Sequence, residues 1–594
     1  MKNILSKLKA YLCVCLLLLI VSCHKKEATY YSLEAANKGL KVIYTQYLDT
    51  VISSIDSLAK TNQLSQQKEY YKKARKYFKL LEPVLAYSDK NNYKSLNAPN
   101  ILKVEEEDLT NIKVIKPFGF QVIEETLYEE TIDTAALKKS VDLTNNRLKL
   151  IRNNIHIDLK EYHVIWLLRE QLVRIATTGI TGFDSPVLNQ SLEETILTYQ
   201  TILRVVNLHK DKFASKELLK TFTNQIEKAQ KALKHEFDTF DRFDFIKSYI
   251  NPQLETLVKV QEDWKVTFPF TMALSNNLTS LFSEDALNIG YFSDYKNDTV
   301  RLTSKVALGK ALFNDVSLSK DNTMACATCH AKDFAFTDGK RVFDNRQTRN
   351  TPTVTYAAFQ RGFFMDARSG SLEGQVVGVV ENHNEFNMTM DSVVNRVIKN
   401  EGYKQKLKEL YGNKRIDYNI RNAIASYIRT LNPFNSKFDK NIRGEETTLT
   451  QEEKDGFNLF TGKALCATCH FSPVFNGTVP PNYNDTELEA IGVPNIDLTG
   501  LSEDLGRYNF FKTNERKHFF KTPSIRNIAK TAPYMHNGVY KTLEEVVEFY
   551  NNGGGEGLGF SYEYQTLPAD SLGLTKKEIK SIVAFMKTLT DEDY

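Results

Sequence analysis

The sequence predicts an all-α protein, with a helical bundle at the N-terminus followed by two smaller, mutually similar domains. Three observations support this prediction. Long stretches of the first half place apolar residues at helical spacing, one cysteine–histidine pattern occurs twice in the second half, and a similar amphipathic segment follows each copy. We therefore expect residues 23–297 to form the bundle, residues 298–443 the first small domain and residues 444–594 the second.

The composition is that of an ordinary globular protein. Of the 594 residues, 42% are hydrophobic and 25% are charged, and the formal net charge is only +4. The chain contains no dense basic block, so its charge pattern gives no support to nucleic-acid binding.

The first 22 residues are typical of an export signal. Three lysines precede an apolar run of 11 residues, which is too short to span a bilayer at about 20 residues per crossing. The segment "IVSC" then ends at Cys23 and resembles the lipobox of bacterial lipoproteins. We expect Cys23 to be lipidated and to anchor the protein to a bacterial membrane, in the periplasm. A plain cleaved signal or an uncleaved anchor is the alternative.

The bundle is predicted from amphipathic segments such as "EYHVIWLLREQLVRIATT" and "SLEETILTYQTILRVV". Ser191 and Glu194 have the spacing of a capping box, so the second segment is expected to begin as a capped helix.

Cysteine usage indicates the chemistry. The signal and Cys23 account for three of the seven cysteines, and the other four belong to two copies of Cys-Ala-Thr-Cys-His. The copies comprise Cys326, Cys329 and His330, then Cys466, Cys469 and His470. This pattern is typical of covalent haem c attachment, in which two thiols add to the porphyrin and the adjacent imidazole binds iron. Two haem c groups are predicted, with zinc or disulfides as the alternatives.

The sequence around the two motifs repeats loosely. "VALGKALFNDVSLSKDNTMACATCH" parallels "EKDGFNLFTGKALCATCH", and "IASYIRTL" parallels "IVAFMKTL" further on. Thr575 and Glu578 form a second predicted capping box, at the start of the last helix. A short helix, an attachment loop and a closing helix describe a cytochrome c domain, so two such domains are expected, joined by the polar stretch "NIRGEETTLTQEE".

The second half resembles the bacterial dihaem cytochrome c peroxidases, including the close relatives that mature a tryptophan cofactor in methylamine dehydrogenase. The segments that carry the resemblance are "RNTPTVTYAAF", "DARSGSLEGQ" and "KTPSIRNIAKTAPYMHNG", which occur in the order of that family between about residues 298 and 594. The resemblance implies that His330 holds the iron at which peroxide reacts and that His470 holds an electron-relay iron.

The resemblance also implies catalytic residues beside the first haem. Glu385 stands at the position of the family's carboxylate and Gln375 at that of its glutamine. A carboxylate above an open iron can take a proton from one peroxide oxygen and return it to the other, and an amide can orient the peroxide.

Two departures from the family pattern concern the first haem. Many of these peroxidases carry a histidine sixteen positions after the first haem ligand, which blocks the iron until reduction, and this chain has Arg346 there. The first haem is therefore expected to be five-coordinate at rest, with His383 as an alternative ligand. The tryptophan of the family between the haems is Met365 here, so electron transfer is expected to take another route or to be slower.

The sixth ligand of the second haem is assigned by the same resemblance. The family's ligand position falls on Tyr550, which shares one face of a predicted helix with Leu543, and Thr542 and Glu545 form a capping box at the start of that helix. Met535 in "APYMH" and an open or otherwise ligated iron remain alternatives, because Met/His ligation is common in cytochromes c.

A calcium ion between the haem domains is also implied by the resemblance. Its matching ligands are Asn350 and the backbone carbonyls of Thr531 and Pro533. Oxygen ligands suit calcium, although these residues could equally be ordinary turn residues.

The N-terminal region is weakly similar to imelysin-like helical proteins, which carry Gly-x-His-x-x-Glu. Gly119, Gln121 and Glu124 stand at these positions in "GFQVIEE", so glutamine replaces the histidine. Metal binding there is therefore in doubt, and a plain helical bundle with interior polar residues is the alternative.

Three functions follow from these patterns. The first is reduction of hydrogen peroxide to water with electrons from a small cytochrome or cupredoxin. The second is oxidation of a protein or organic substrate through a high-valent dihaem state, and the third is electron transfer without catalysis. The expected partners are peroxide, the donor protein, the membrane through the lipid anchor and a second copy of the chain in a homodimer, with no nucleic acid.

Overall fold

The computed structural model describes residues 31–106, 111–294, 302–344 and 346–594. Within these ranges the protein is mostly helical, as predicted, with two short antiparallel strand pairs. The predicted signal, Cys23 and the predicted boundary between residues 297 and 298 lie outside the described residues.

The N-terminal region, here residues 31–294, consists of ten α-helices and one strand pair within its described residues. The helices are α1 (Leu33–Lys60), α2 (Leu64–Ser88), α3 (Lys90–Leu96), α4 (Phe120–Tyr128), α5 (Thr134–Asn153), α6 (Glu161–Arg174), α7 (Ser191–Leu208), α8 (Lys216–Ala232), α9 (Arg242–Phe245) and α10 (Asn251–Asp263). The strands are β1 (Lys103–Glu106) and β2 (Ile112–Ile115), and π-helical turns at Ile175–Gly179 and Ile246–Ile250 extend α6 and α9.

The remaining helices carry the two Cys-x-x-Cys-His motifs. They are α11 (Thr303–Phe313), α12 (Cys326–Cys329), α13 (Leu372–Glu381), α14 (Met390–Lys399), α15 (Glu401–Tyr411), α16 (Ile416–Ile428), α17 (Lys437–Ile442), α18 (Gln451–Thr461), α19 (Tyr508–Phe511), α20 (Leu543–Asn551), α21 (Gly554–Gly557) and α22 (Lys576–Thr588). Strand β3 (Leu488–Glu489) pairs with β4 (Phe520–Lys521).

The loose sequence repeat corresponds to one helix crossing that occurs twice. Helix α11 packs on α16 and helix α18 packs on α22. A Cβ atom on Gly309 would lie 1.9 Å from the carbonyl oxygen of Ala423, and one on Gly456 would lie 1.9 Å from that of Ser581. Because only glycine allows two helices to approach so closely, the glycines of "ALGKALF" and "KDGFNLF" mark equivalent positions of the two repeats.

Hydrophobic packing divides the described residues into two large cores and one small cluster. One large core belongs to the first repeat alone and contains residues such as Leu312 and Ile424. The other is continuous from the N-terminal region into the second repeat, from residues such as Leu40 to Phe585. The second repeat therefore shares its interior with the N-terminal region, whereas the first repeat has a core of its own and also places Tyr356, Phe434 and Phe438 in the larger core.

Two of the three predicted capping boxes are present. At Thr542 and Thr575 the hydroxyl accepts a hydrogen bond from the backbone N–H three residues on, and the glutamate there accepts one from the threonine N–H. The box at Ser191 is wrong. Helix α7 does begin there, but the buried Ser191 hydroxyl has no hydrogen-bond partner and Glu194 pairs with buried Arg75. A charge-assisted bond in the interior is stronger than a helix cap at a serine.

Candidate active site

The first Cys-x-x-Cys-His motif forms a single helical turn. Helix α12 carries both cysteines, and the backbone N–H of Ala325 donates a hydrogen bond of 2.9 Å to the Thr328 hydroxyl. His330 follows directly, with its Nδ1 atom 3.0 Å from the Phe336 carbonyl oxygen. Since Nδ1 donates to that carbonyl, Nε2 is the nitrogen left for a metal. Burial lowers the pKa of His330 and favours the neutral imidazole that binds iron.

A cavity opens beside this motif. It contains the five residues that the sequence assigned to the first haem and its chemistry, namely Cys326, Cys329, His330, Gln375 and Glu385. The rest of its lining is apolar, with leucine, isoleucine, valine, phenylalanine and methionine side chains. An apolar pocket with two cysteines and a tethered histidine at one wall fits a covalently attached haem.

Glu385 is the only carboxylate in the lining of this cavity. Burial raises its pKa. Two amides hold it, since Asn382 Nδ2 donates to Glu385 Oε1 at 2.8 Å and Gln347 Nε2 donates to the same oxygen at 3.2 Å. The sequence analysis missed both amides, although Asn382 lies in the quoted stretch "ENHNEF".

Gln375 projects from helix α13, and a buried ion pair anchors that helix. Glu373 accepts from Arg429 at 2.7 and 2.9 Å, and Asn422 donates to the same carboxylate at 3.0 Å. Both charged side chains are about 1% exposed. This pair fixes the position of helix α13 and therefore of Gln375 in the cavity. The glutamate inside the segment "DARSGSLEGQ" is the sequence feature from which a buried ion pair could have been predicted.

The alternative ligand of the first haem, His383, does not line the cavity, and neither does Arg346. Arg346, at the position of the family's blocking histidine, is exposed and forms an ion pair with Asp344 at 2.8 Å. His383 is also exposed. An open coordination position opposite His330 is therefore compatible with the side chains present.

The second motif has a different backbone. Cys466–Thr468 form a 3₁₀ turn, preceded by Leu465 in the left-handed region with φ 53°. The Thr468 hydroxyl donates to the Leu465 carbonyl at 2.7 Å. His470 repeats the arrangement of the first motif, with Nδ1 3.1 Å from the Phe475 carbonyl oxygen, so its Nε2 is also left for a metal.

Tyr550 lies near the second pair of cysteines, as its predicted role requires. Burial raises the pKa of its phenol, and the adjacent thiols of Cys469 and Cys466 add to this shift. Met535 packs against the same hydrophobic core from a separate loop. Glu489 is a further residue at this site that the sequence analysis missed. It lies beside Cys469, and burial raises its pKa to about 7.

The two repeats meet at the segment that carries Met365. The Met365 carbonyl accepts from the backbone N–H of Lys521 at 2.8 Å. Next to it, Asp366 accepts from Arg349 at 2.8 Å, and Arg349 also binds Asp504 of the second repeat at 2.6 and 2.9 Å. One backbone hydrogen bond and a shared arginine therefore join the two repeats at the segment that carries Met365.

Asn350 also joins the two repeats. Its backbone N–H donates to the His536 carbonyl at 2.7 Å, and its side-chain amide donates to the Lys340 carbonyl at 2.8 Å. This places Asn350 near the loop that holds Thr531 and Pro533. The described residues contain no cluster of three or more His, Cys, Asp or Glu side chains suited to a metal.

The imelysin-like positions of the N-terminal region are fully occupied by protein contacts. Gln121 donates to the Asn97 carbonyl at 2.9 Å. Glu124 accepts from the Tyr71 hydroxyl at 2.7 Å, from Ser185 and from the backbone N–H groups of residues 187 and 188. A carboxylate with this many donors is structural, and the geometry gives no support to a metal there.

The alternatives to haem find no support in the geometry. Among the described residues, no disulfide joins the four motif cysteines, and no zinc-type ligand cluster occurs. The residues present fit haem attachment at both motifs.

Comparison with known proteins agrees with this site. Residues 303–447 match the family described as di-haem cytochrome c peroxidase. The chain is 33% identical over 313 residues to cytochrome-c peroxidase IdrP2 of Denitromonas iodatirespirans, an alignment that covers 48% of this chain and 82% of that protein. It is 34% identical over 296 residues to methylamine utilization protein MauG of Methylorubrum extorquens, covering 48% and 78% respectively.

The chain therefore belongs to the bacterial dihaem cytochrome c peroxidase family. Among solved structures, it is similar to a MauG-like protein associated with microbial copper homeostasis, at 27% identity and a TM-score of 0.42, covering 49% of this chain and 90% of that one. About half of this chain lies outside each of these alignments.

Proposed function

We propose that this protein is a dihaem c-type peroxidase that reduces hydrogen peroxide to water at the His330 site, with electrons relayed through the His470 site. The observation that carries the proposal is the cavity beside His330, in which an apolar wall surrounds one carboxylate, Glu385, and one amide, Gln375. Membership of the dihaem peroxidase family supports this assignment, and relatives such as IdrP2 are named cytochrome-c peroxidases.

The reaction consumes two electrons and two protons for each peroxide and yields two waters. Haem bound at His330 supplies the iron centre at which peroxide is held and reduced. Glu385 would take a proton from one peroxide oxygen and return it to the departing oxygen, a role to which a raised pKa is suited. The Gln375 amide orients the peroxide, and the hydrogen bonds from Asn382 and Gln347 keep the carboxylate in place.

Electrons enter through the second repeat in this proposal. His470 and Tyr550 are the proposed ligands of the relay haem, and the small donor is a cytochrome or a cupredoxin. The contact between Met365 and Lys521 and the arginine shared by the two repeats support an electron route at that junction. Because a thioether replaces the indole, transfer is expected to be slower than in relatives that have the tryptophan.

A second candidate is oxidation of a protein or organic substrate. The position of Tyr550 beside the second cysteines favours it, because a phenolate donates anionic charge and stabilises oxidised iron. The exposed Arg346, which leaves the first site open without prior reduction, also favours it.

Calcium binding, domain organisation and location are part of the proposal. Asn350, Thr531 and Pro533 would supply three neutral oxygens to calcium, with waters completing the coordination. The three-domain division, with boundaries near residues 297 and 443, remains a prediction, as does a homodimer. Among the described residues no helix has both the length and the apolar character for a membrane crossing. Attachment to the periplasmic face of a membrane would rest on Cys23.

One experiment tests the core of the proposal. Mass analysis of the exported protein should show two covalent haems, and the ferric EPR spectrum should show one high-spin and one low-spin centre. Peroxide should then be consumed with steady oxidation of a reduced cytochrome, whereas turnover only with an organic substrate would favour the second candidate. Two low-spin haems and negligible peroxide consumption would contradict both.

The same spectrum tests the sixth ligand. Tyr550→Phe should alter the low-spin signal and leave the high-spin signal unchanged. Met535→Leu is the matched comparison, and a change in that variant alone would assign the ligand to Met535.

A further inference from the structure

The N-terminal region packs directly against the second Cys-x-x-Cys-His motif. Gly182 has φ +86°, and a Cβ atom there would lie 3.0 Å from Leu465 Cδ2. The next residue, Phe183, makes an edge contact with Phe471, with 6.0 Å between ring centroids. Leu465 precedes Cys466 and Phe471 follows His470, so these two residues of the N-terminal region touch both ends of the motif.

Arg242 supplies a third contact, at the end of the helix that leads into the motif. A Cβ atom on Gly462 would lie 2.5 Å from the Arg242 guanidinium carbon, so the backbone passes directly over this group. The guanidinium is fully buried and donates to the carbonyls of Ile180, Phe240 and Phe237 at 2.7, 3.1 and 2.9 Å. Among the described residues, no ion pair joins Arg242 to a carboxylate.

A buried ionic cluster holds the Gly182–Phe183 segment in place. Asp184 accepts from Lys79 at 2.7 Å and from Asn97 at 2.7 Å, and its carbonyl accepts from Arg75 at 2.5 Å. Charge-assisted bonds in the interior are strong and geometrically demanding. The segment that touches the second motif is therefore rigidly placed by the N-terminal region.

The first motif has no such support. The residues that line its cavity all lie between positions 313 and 428, within the first repeat. The first repeat also has its own hydrophobic core, whereas the second shares one with the N-terminal region.

From these contacts we propose that the N-terminal region forms part of the second haem site, to which it contributes Phe183 and Arg242 as positioning residues. They hold the entry to the motif in its left-handed conformation at Leu465 and place a buried positive charge beside it. This inference rests on the proposed haem at His470.

The physical consequence is a shift in redox potential. A positive charge in a region of low dielectric favours the reduced haem, which carries one positive charge fewer than the oxidised form. Loss of the charge should lower the midpoint potential of the second haem. Loss of packing at Phe183 should alter the orientation of the loop, and with it the low-spin signal.

The test measures both haems of the full-length holoprotein. Arg242→Gln removes the positive charge, and Arg242→Lys retains the charge without the planar guanidinium group. Phe183→Leu removes the aromatic contact with Phe471. Arg152→Gln is the control, because Arg152 pairs with Asp49 on the exposed surface of the bundle. Midpoint potentials by spectroelectrochemistry, EPR spectra, haem content by mass and thermal unfolding are recorded for each protein.

We expect Arg242→Gln to lower the potential of the second haem and to leave that of the first unchanged, with a smaller shift in Arg242→Lys. We expect Phe183→Leu to change the low-spin signal alone. If both haems are attached and neither property changes, or if both haems shift equally, the inference is overturned. A wild-type protein without the second haem would instead refute the proposed function. Should Arg242→Gln not fold, the other two variants decide.

Discussion

The two Cys-Ala-Thr-Cys-His motifs have the same five residues and different backbones. In the first, the motif is an α-helical turn and Ala325 before it is extended, with φ −121°. In the second, it is a 3₁₀ turn and Leu465 before it is left-handed, with φ 53°. The threonines exchange roles, because Thr328 accepts a backbone hydrogen bond where Thr468 donates one.

This difference shows that the surroundings decide the geometry of a short motif. The first motif lies within its own repeat, beside a large cavity. The second motif lies between its repeat and the N-terminal region, where Gly182 and Arg242 contact the residues that precede the motif. A non-glycine residue in the left-handed region costs about 1 kcal/mol, and the packing of Leu465 between the second repeat and the N-terminal region offsets this cost.

The largest effect is expected on peroxide turnover at the first site, which is the proposed site of acid–base chemistry. Glu385→Gln removes the proposed proton carrier, so kcat/KM for peroxide should fall by about 10²-fold or more. Stopped-flow kinetics with a reduced cytochrome measures this.

Glu381→Gln is the matched control, because Glu381 is exposed at the end of helix α13, just before the turn that carries Glu385, and should leave turnover unchanged. Equal turnover in Glu385→Gln and wild-type protein would remove the first cavity from consideration as the peroxide site.

The next effect compares the two large cores. Glu373–Arg429 is a buried bidentate pair beside the core of the first repeat, and Asp439–Arg526 is one beside the larger core, joining residues on either side of the predicted boundary near residue 443; both pairs are almost fully buried. Glu373→Gln and Asp439→Asn each leave an uncompensated guanidinium, so each should lower the free energy of unfolding by about 3–5 kcal/mol. Chemical denaturation measures the loss. A loss below about 1 kcal/mol would show that water or a rearranged side chain compensates the charge.

A smaller effect concerns the pH dependence at the first site. Burial raises the pKa of Glu385, and the hydrogen bonds from Gln347 and Asn382 oppose this rise. Activity that needs the ionised carboxylate is lost as pH falls through this pKa, so the acid limb should lie above pH 4.5, the ordinary value for glutamate. Asn382→Ala should move the limb to higher pH still. A pH profile of kcat/KM shows this, and an unchanged or lower limb would exclude Glu385 as the titrating base.

The smallest effect tests the exchanged threonine roles. Thr328→Val leaves the Ala325 N–H without its hydroxyl acceptor and should cost about 1 kcal/mol. Thr468→Val should cost less, because the Leu465 carbonyl still accepts from the Thr468 backbone N–H at 3.1 Å. Thermal unfolding of the two variants measures the difference, and equal losses would mean that the two motifs are energetically alike.

Much of the fold and of the first site could be predicted from local sequence. The helical class, the repeat and two of three capping boxes depend on periodicity and on residues three apart, which the chain displays directly. The box predicted at Ser191 is wrong because Glu194 pairs with Arg75, which lies 119 positions away in sequence. Gln347 and the carboxylate beside Cys469 were missed for the same reason, since their partners come together only on folding, whereas Asn382 lies only three residues from Glu385 and was within reach of the local sequence.

By itself, the sequence determined which residues can attach two haems, because this depends on residue type and short spacing, whereas Glu385 and Gln375 were indicated by the resemblance to a family. Tertiary structure alone decided that Glu385 lines an apolar cavity and that the second motif is left-handed at its entry. It also decided that the N-terminal region shares its core with the second repeat. Burial, dielectric and backbone strain arise from long-range contacts, which no local pattern encodes.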